Sequence, residues 1–385
     1  MSESFTATIN GIELAYRLDG ARSRPALVLV NSLGTTMDVW APQLGSLASE
    51  FFVVRFDLRG HGQTGAPGGP YRIEDLADDL VGLIDHLGVE RAAICGLSIG
   101  GMIAMSVAAR APGRVGSLVL ACTAAQFSPP AAWDERAAHV RAKGVASLTD
   151  GLFARWFTEP MRREQPELLA RVAAMLASCD PEGYAGCCEA IAGADLTASL
   201  GAIEAPTLVI AGSEDPVSTP ETGLRLAQAI PVADFSVLSG AAHLANLAHP
   251  DRFADLVATH LRGGARERGM AVRRAVLGDA HVDRALAAAE GFGGAFQEFI
   301  TAYAWGAVWG RPGLDRRTRS AITLAMLSAL GRHEELSFHV PAALRNGLRG
   351  EEIEEVLVHS AVYGGVPAAN RAVAVAREAL ARIEP

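Results

Sequence analysis

Gly96-Leu97-Ser98-Ile99-Gly100-Gly101 stands directly after the apolar run Ala92-Ala93-Ile94-Cys95 and directly before Met102-Ile103-Ala104-Met105, which opens a helical stretch. A serine flanked by glycines between a strand and a helix is the pattern of a nucleophile elbow. The sharp turn strains the serine backbone, and only small neighbours let the chain pass so closely. In a chain with 40 glycines the pattern alone is moderately specific. Its surroundings decide how it is read.

Working outward, Phe5 to Ile9 and Ile12 to Tyr16 flank Asn10-Gly11, the strongest short hairpin signal, so the chain is expected to open with an antiparallel pair. Continuous apolar runs then recur at Ala26 to Val30, Phe52 to Val54, Ala92 to Cys95, Ser117 to Leu120, Thr207 to Ile210 and Phe235 to Leu238. Runs of this kind, without alternation, suit strands buried on both faces of a parallel sheet. Helical patterns lie between them, as in Ile73 to Leu87 with Leu76, Leu80, Leu83 and Ile84 on one face. Strand and helix alternate as in an α/β sheet. From about 126 to 200 the strand pattern gives way to Ala-rich amphipathic stretches with Trp133, Trp156 and Met175, read as a helical cap. The α/β signal ends near Leu261, and the polar, glycine-rich residues 263–270 read as a linker between domains 1–262 and 271–385. The second domain reads as an all-α helical bundle, with patterns at 280–290, 292–308, 315–331, 333–346, 351–363 and 368–383. Asp315 is its clearest N-cap, and Ile353, Val356, Leu357 and Ala361 form an apolar stripe.

Composition narrows the partners. With 385 residues, 50% hydrophobic and 20% charged, a net charge of -9 and a pI near 5.6, the chain lacks the basic footprint of a nucleic-acid binder. Its five cysteines are odd in number and without metal-ligand spacing, so they read as reduced, buried side chains, with no metal expected. Met1 to Ser4 shows neither a basic nor an apolar leader pattern, and a cytoplasmic location is expected. The uncharged stretch Ala92 to Ala109 is long enough for a membrane span, but it contains the elbow and reads as buried strand plus helix.

A serine hydroxyl becomes a nucleophile when a base takes its proton and an acid orients that base. In α/β-hydrolases the acid and then the histidine follow the serine in the chain. Asp215 follows Thr207 to Ala211, and His243 follows Phe235 to Leu238, both just past strand ends. Glu214 is the rival acid and His249, before Pro250, the rival base. The expected oxyanion donors are the backbone N–H of Ile99 and that of Leu33, in the loop Asn31-Ser32-Leu33-Gly34-Thr35-Thr36. With Asp57-Leu58-Arg59-Gly60-His61-Gly62, the triad loops and the cap, residues 1–262 resemble the 3-oxoadipate enol-lactone hydrolases, an α/β-hydrolase group. Asn31-Ser32 stands where the wider superfamily more often has His-Gly. His61 reads as structural.

The stretches Tyr303 to Asp315, Arg332 to His339 and Tyr363 to Ala369 make the second domain resemble the 4-carboxymuconolactone decarboxylases, an all-helical family related to alkylhydroperoxidase-like proteins. Where those peroxidases carry Cys-x-x-Cys, this chain has Arg332 and Glu335, with His339 kept and no cysteine after Cys188, which excludes thiol peroxidase chemistry. Arg332, Glu335 and His339 fall on one helix face. Spacing alone suits a solvated ion-paired face. The resemblance turns it into a site, implying that Arg332 holds a carboxylate and that Glu335 or His339 delivers a proton, with no cofactor. Trp305 and Trp309 read as core or interface anchors. The product of the second resemblance is the substrate of the first, so the expectation is a bifunctional enzyme of protocatechuate degradation. It would act on small dicarboxylate lactones, with neither nucleic acid nor membrane as partner, and associate with copies of itself through the C-terminal domain. A serine esterase of other specificity, with a non-catalytic helical oligomerisation or binding module, is the alternative.

Overall fold

The computed structural model describes residues 4–263, 265–289, 291, 293–310 and 313–382. The opening Met1 to Glu3, Gly264 of the expected linker and Arg311-Pro312 of the quoted motif lie outside the described residues. The chain forms two compact units, and the division falls between Leu261 and Arg262.

The first unit is built on an eight-stranded sheet of order β1-β2-β4-β3-β5-β6-β7-β8. β1 (Ser4–Ile9) and β2 (Ile12–Asp19) form the expected hairpin. Asn10 and Gly11, at φ 49° and 81°, take the positive angles that its two-residue turn requires. β2 pairs antiparallel with β4 (Phe52–Phe56). From there β3 (Ala26–Val30), β5 (Ala92–Leu97), β6 (Val115–Ala121), β7 (Thr207–Gly212) and β8 (Ala233–Leu238) run parallel. Leu27, Val28, Leu29 and Val30 are all fully buried, which is why β3 reads as an unbroken apolar run. The expectation that Phe235 to Leu238 is buried on both faces is corrected, because β8 is an edge strand on which only Leu238 is buried. Strand order reverses between β3 and β5, so the loops leaving their carboxyl ends flank a crevice at the switch point. Between β6 and β7 the chain makes helices Pro130–Lys143, Thr149–Trp156, Glu159–Glu164, Pro166–Ala177 and Pro181–Ala192, the helical cap.

The second unit is helical throughout its described residues, with helices Ala265–Leu277, Asp279–Ala287, Gly294–Ile300, Arg316–Ala329, His333–Arg345, Gly350–Gly364 and Val366–Ala381. A π-helical run, Thr301–Trp309, continues the third. Leu324, Leu336, Val340, Ile353, Leu357 and Ala372 form its main core. Asp315 caps its helix, accepting from Thr318 N at 2.7 Å. The linker reading of 263–270 is corrected, because a helix begins at Ala265. Gly269, which suggested flexibility, is buried where a Cβ would strike the carbonyl of Thr301, so it permits close helix packing. Helix His333–Arg345 also runs through Pro341 without ending.

Candidate active sites

Ser98 sits between β5 and helix Ile99–Arg110 at φ 57°, ψ -118°, strained for a residue with a Cβ. The elbow tolerates this because its neighbours are small. A Cβ on Gly96 would meet the carbonyl of Gly100, and one on Gly100 would meet that of Val30. Ser98 N donates to Ala121 O at 2.9 Å, and Thr123 Oγ1 donates to Ser98 O at 2.7 Å, which fixes the turn from β6.

The three residues expected to act together meet. His243 Nε2 lies 2.9 Å from Ser98 Oγ, and His243 Nδ1 lies 2.9 Å from Asp215 Oδ2. Ser98, His243 and Asp215 are 5%, 2% and 3% exposed. Burial pushes the Asp215 carboxyl up, but the charge of His243 and hydrogen bonds from His243, Ser218 and Val217 outweigh it and leave the group below its usual value. Ser218 Oγ donates to Asp215 Oδ2 at 2.7 Å, a contact that no sequence signal marks. Glu214 is exposed, and His249 makes no contact with the serine.

The oxyanion loop follows β3. Leu33 lines the same cavity as Ser98 and His243, and Ile99 opens a helix whose first N–H groups have no intrahelical acceptor. His61 braces this loop. Its Nε2 accepts from Gly34 N at 2.9 Å, and its Nδ1 is 2.9 Å from the carbonyl of Arg59. Burial outweighs the Arg59 carbonyl and lowers the imidazole to about 4, so it is neutral with its proton on Nδ1. Asn31, also fully buried, accepts from Trp40 Nε1 and donates to Phe56 O, so it holds the end of β3 in place.

The cap closes over the serine and contributes residues that the sequence did not single out. Trp133, Arg136, Leu152, Arg155, Trp156 and Tyr184 line a cavity of about 40 Å³, far below the roughly 300 Å³ at which ligand pockets begin. A ligand beside Ser98 needs more room than the lining side chains leave in this arrangement. Arg136 lies 4.4 Å from the centre of the Trp133 ring and near the Tyr184 hydroxyl. That hydroxyl is buried without a well-formed hydrogen bond. Arg136 and Arg155 have no ion-pair partner among the described residues. Two cations and an unsatisfied hydroxyl next to a nucleophile are suited to a carboxylate.

In the second unit Arg332, Glu335 and His339 do share a helix face, but they form no hydrogen-bonded cluster among the described residues. Arg332 is the exposed N-cap of helix His333–Arg345, and Glu335 is exposed. His339 is half-buried, its ring stacked 6.4 Å from each of Trp305 and Trp309. Burial first, then the charge of His281, lowers the imidazole to about 4 against the opposing effect of Glu335. Trp305 is core, as read, yet the two tryptophans also flank this histidine. Among the described residues no cluster of His, Cys, Asp or Glu is arranged to hold a metal, and no helix is long and apolar enough to cross a membrane.

A buried Ser–His–Asp chain of hydrogen bonds at the carboxyl ends of a mostly parallel sheet defines a serine hydrolase of the α/β class. Comparison with known proteins extends this to both units. The alpha/beta hydrolase fold family matches residues 25–250, and the carboxymuconolactone decarboxylase family matches residues 294–378. The chain is 39% identical over 248 residues to 3-oxoadipate enol-lactonase 2 of Acinetobacter baylyi, covering 64% of this chain and 92% of the relative. It is 46% identical over 112 residues to 4-carboxymuconolactone decarboxylase of the same organism, covering 29% and 84%. The enol-lactonase structure from Burkholderia xenovorans LB400 matches with a TM-score of 0.66 and 43% identity, over 67% of this chain and 99% of that one. The chain belongs to the alpha/beta hydrolase fold family, fused to a domain of the carboxymuconolactone decarboxylase family.

Proposed function

We propose that this enzyme catalyses two consecutive steps of the β-ketoadipate pathway, decarboxylating 4-carboxymuconolactone and hydrolysing the resulting 3-oxoadipate enol-lactone to 3-oxoadipate. The observation that carries the reading is the joining, in one chain, of two domains whose relatives are named for reactions that share an intermediate. In the first unit His243 takes the proton of Ser98 Oγ as the oxygen attacks the lactone carbonyl. The N–H groups of Leu33 and Ile99 receive the oxyanion. Collapse breaks the ring C–O bond, and the leaving enolate takes the proton and becomes the 3-oxo group. Water activated by His243 then releases the acid. Arg136, with Tyr184 beside it, holds the carboxylate of the lactone.

In the second reaction the departing carboxylate is γ to the lactone carbonyl across a conjugated double bond. The electrons left by CO2 flow to the carbonyl oxygen, and a proton delivered to the α carbon gives the enol-lactone. Glu335 and His339 supply that proton. Burial keeps the His339 imidazole neutral near pH 7, so it orients by hydrogen bonding, while the solvent-exposed Glu335 relays the proton. The cytoplasm is the expected compartment for such a step.

We also propose that the second unit associates with copies of itself. Ile322, Met326 and Leu330 on one helix, and Val358, Val362 and Tyr363 on its neighbour, are exposed. No charged residue interrupts Ser320 to Gly331. A helix apolar on all sides is normally covered on all sides.

Incubating the full chain with 4-carboxymuconolactone is expected to yield CO2 and 3-oxoadipate, and Ser98→Ala is expected to stop at the enol-lactone. A folded parent chain that leaves the lactone unchanged, or a Ser98→Ala variant that still forms 3-oxoadipate, overturns the assignment.

A further inference from the structure

In the second unit a cavity of about 490 Å³ opens between the start of helix Asp279–Ala287, helix His333–Arg345 and the end of helix Val366–Ala381. Its lining includes His281, Arg284, Ser337, Phe338, Arg345 and Arg382. The acidic residue in the lining, Asp279, is already paired with Arg274 Nη1 at 3.0 Å, and the same guanidinium takes Asp283 at 2.6 Å. Arg284 and Arg382 have no ion-pair partner among the described residues. Among the described residues the cavity lining therefore carries an excess of positive charge.

Arg345 is held in place. Its Nη1 donates to Val276 O at 3.1 Å, and its guanidinium packs so close to Gly278 that a Cβ there would lie 3.3 Å from Cζ. A guanidinium tethered to the backbone at the wall of a cavity lined by two further arginines makes a site suited to an anion. The volume lies within the range of small-molecule pockets. Burial first, then the charges of Arg284, Arg273 and Arg345, holds the His281 imidazole below its usual value. The Phe338 ring lies 4.8 Å from that of His281 and 4.9 Å from that of His339, so the cavity wall adjoins the face assigned to proton transfer.

We propose that this cavity binds the dicarboxylate lactone on which the second unit acts, with Arg345 and Arg284 gripping the carboxylate that the product retains. The inference rests on the decarboxylase reading above and moves the carboxylate site away from Arg332, which does not line this cavity. The choice of carboxylate follows from the chemistry. The departing group loses its charge as it becomes CO2, so cations placed on it stabilise the ground state more than the transition state and slow the reaction. The retained carboxylate has the same charge throughout, so gripping it binds without retarding.

The test is steady-state decarboxylation of 4-carboxymuconolactone by the full chain, with enol-lactone hydrolysis followed in parallel. Arg284→Gln is expected to raise KM by about 10- to 100-fold, the range for one lost hydrogen bond to a charged group, with kcat within about twofold. Arg345→Gln should act in the same way. Because it also removes the bond to Val276, Arg345→Lys is the companion variant, expected to raise KM less, since charge is kept and the fork is lost. Hydrolysis at Ser98 should not change. Parental KM in folded Arg284→Gln and Arg345→Gln variants overturns this inference and leaves the decarboxylase reading standing. A parent chain that releases no CO2 from the lactone overturns both.

Discussion

At Ser98 a strained backbone, two intolerant glycine neighbours and a histidine 2.9 Å away all point the same way, and the Gly-x-Ser-x-Gly pattern between strand and helix carries the first two in the sequence itself. Asp215 and His243 are legible in the sequence because each follows a strand and a glycine at the carboxyl edge of the sheet. Arg136 and Tyr184 are not. The cap carries many arginines, among them Arg141, Arg155, Arg162, Arg163 and Arg171, and a mixed polar helix gives no reason to prefer one. Packing makes the choice. Arg141 is paired with Glu182 and Glu189, whereas Arg136 lies on Trp133 beside the serine without an ion-pair partner among the described residues. Arg136→Ala is therefore expected to raise KM for the enol-lactone by about 10- to 100-fold, with a smaller effect on kcat, because the carboxylate is bound alike in ground and transition states. Kinetics against an uncharged ester provide the check. If the variant loses as much on the ester as on the lactone, the arginine serves packing and not recognition.

Elements, as opposed to single residues, were read most securely where one period dominated. Each expected strand forms: β3, β4, β5 and β7 because a strand buried on both faces has no competing pattern, and the opening pair because Asn10-Gly11 fixes its turn. The first helix of the second unit, Ala265–Leu277, was the main omission. Its glycines suit a linker, while the helix-forming residues between them favour the helix that forms. His281 and Arg284 escaped for a related reason, since an ordinary amphipathic helix does not say that a cavity lies against it. The outer faces of helices Arg316–Ala329 and Gly350–Gly364 carry a different message, about what covers them. If those faces join copies of the chain, Met326→Glu or Val362→Glu places a charge in an apolar contact and shifts the protein towards a smaller species, which light scattering at several concentrations will detect. Parental mass in both variants removes these faces from the interface.

On the scale of the whole molecule, the two units carry their buried titratable groups in different balances, and acid should separate their stabilities. In the first unit burial lowers His61 from 6.5 to about 4, whereas burial, opposed by the N–H groups of Met37 and Gln63, raises Asp57 from 3.8 to about 6. Between about pH 4 and 6 the unfolded chain holds a proton on the histidine that the native state lacks. The native state holds one on the aspartate that the unfolded chain lacks. The difference in bound protons is close to zero, so these two groups leave stability nearly level with pH. In the second unit His339 is lowered to about 4 and His281 is lowered as well, both chiefly by burial. There the unfolded state binds more protons below the unfolded histidine value of 6.5, so stability falls as pH falls from 6.5 towards 4. The lowered carboxyls of Asp215 and Glu352 act below their unfolded values of 3.8 and 4.5, outside most of this window. Calorimetry of the full chain from pH 7 to 4.5, with transitions assigned by residual hydrolysis and decarboxylation after heating, is expected to show the decarboxylase transition moving to lower temperature while the hydrolase transition moves less. Equal movement of the two transitions would mean that His339 is not the neutral, buried imidazole described above, and the orienting role given to it would fall with that description.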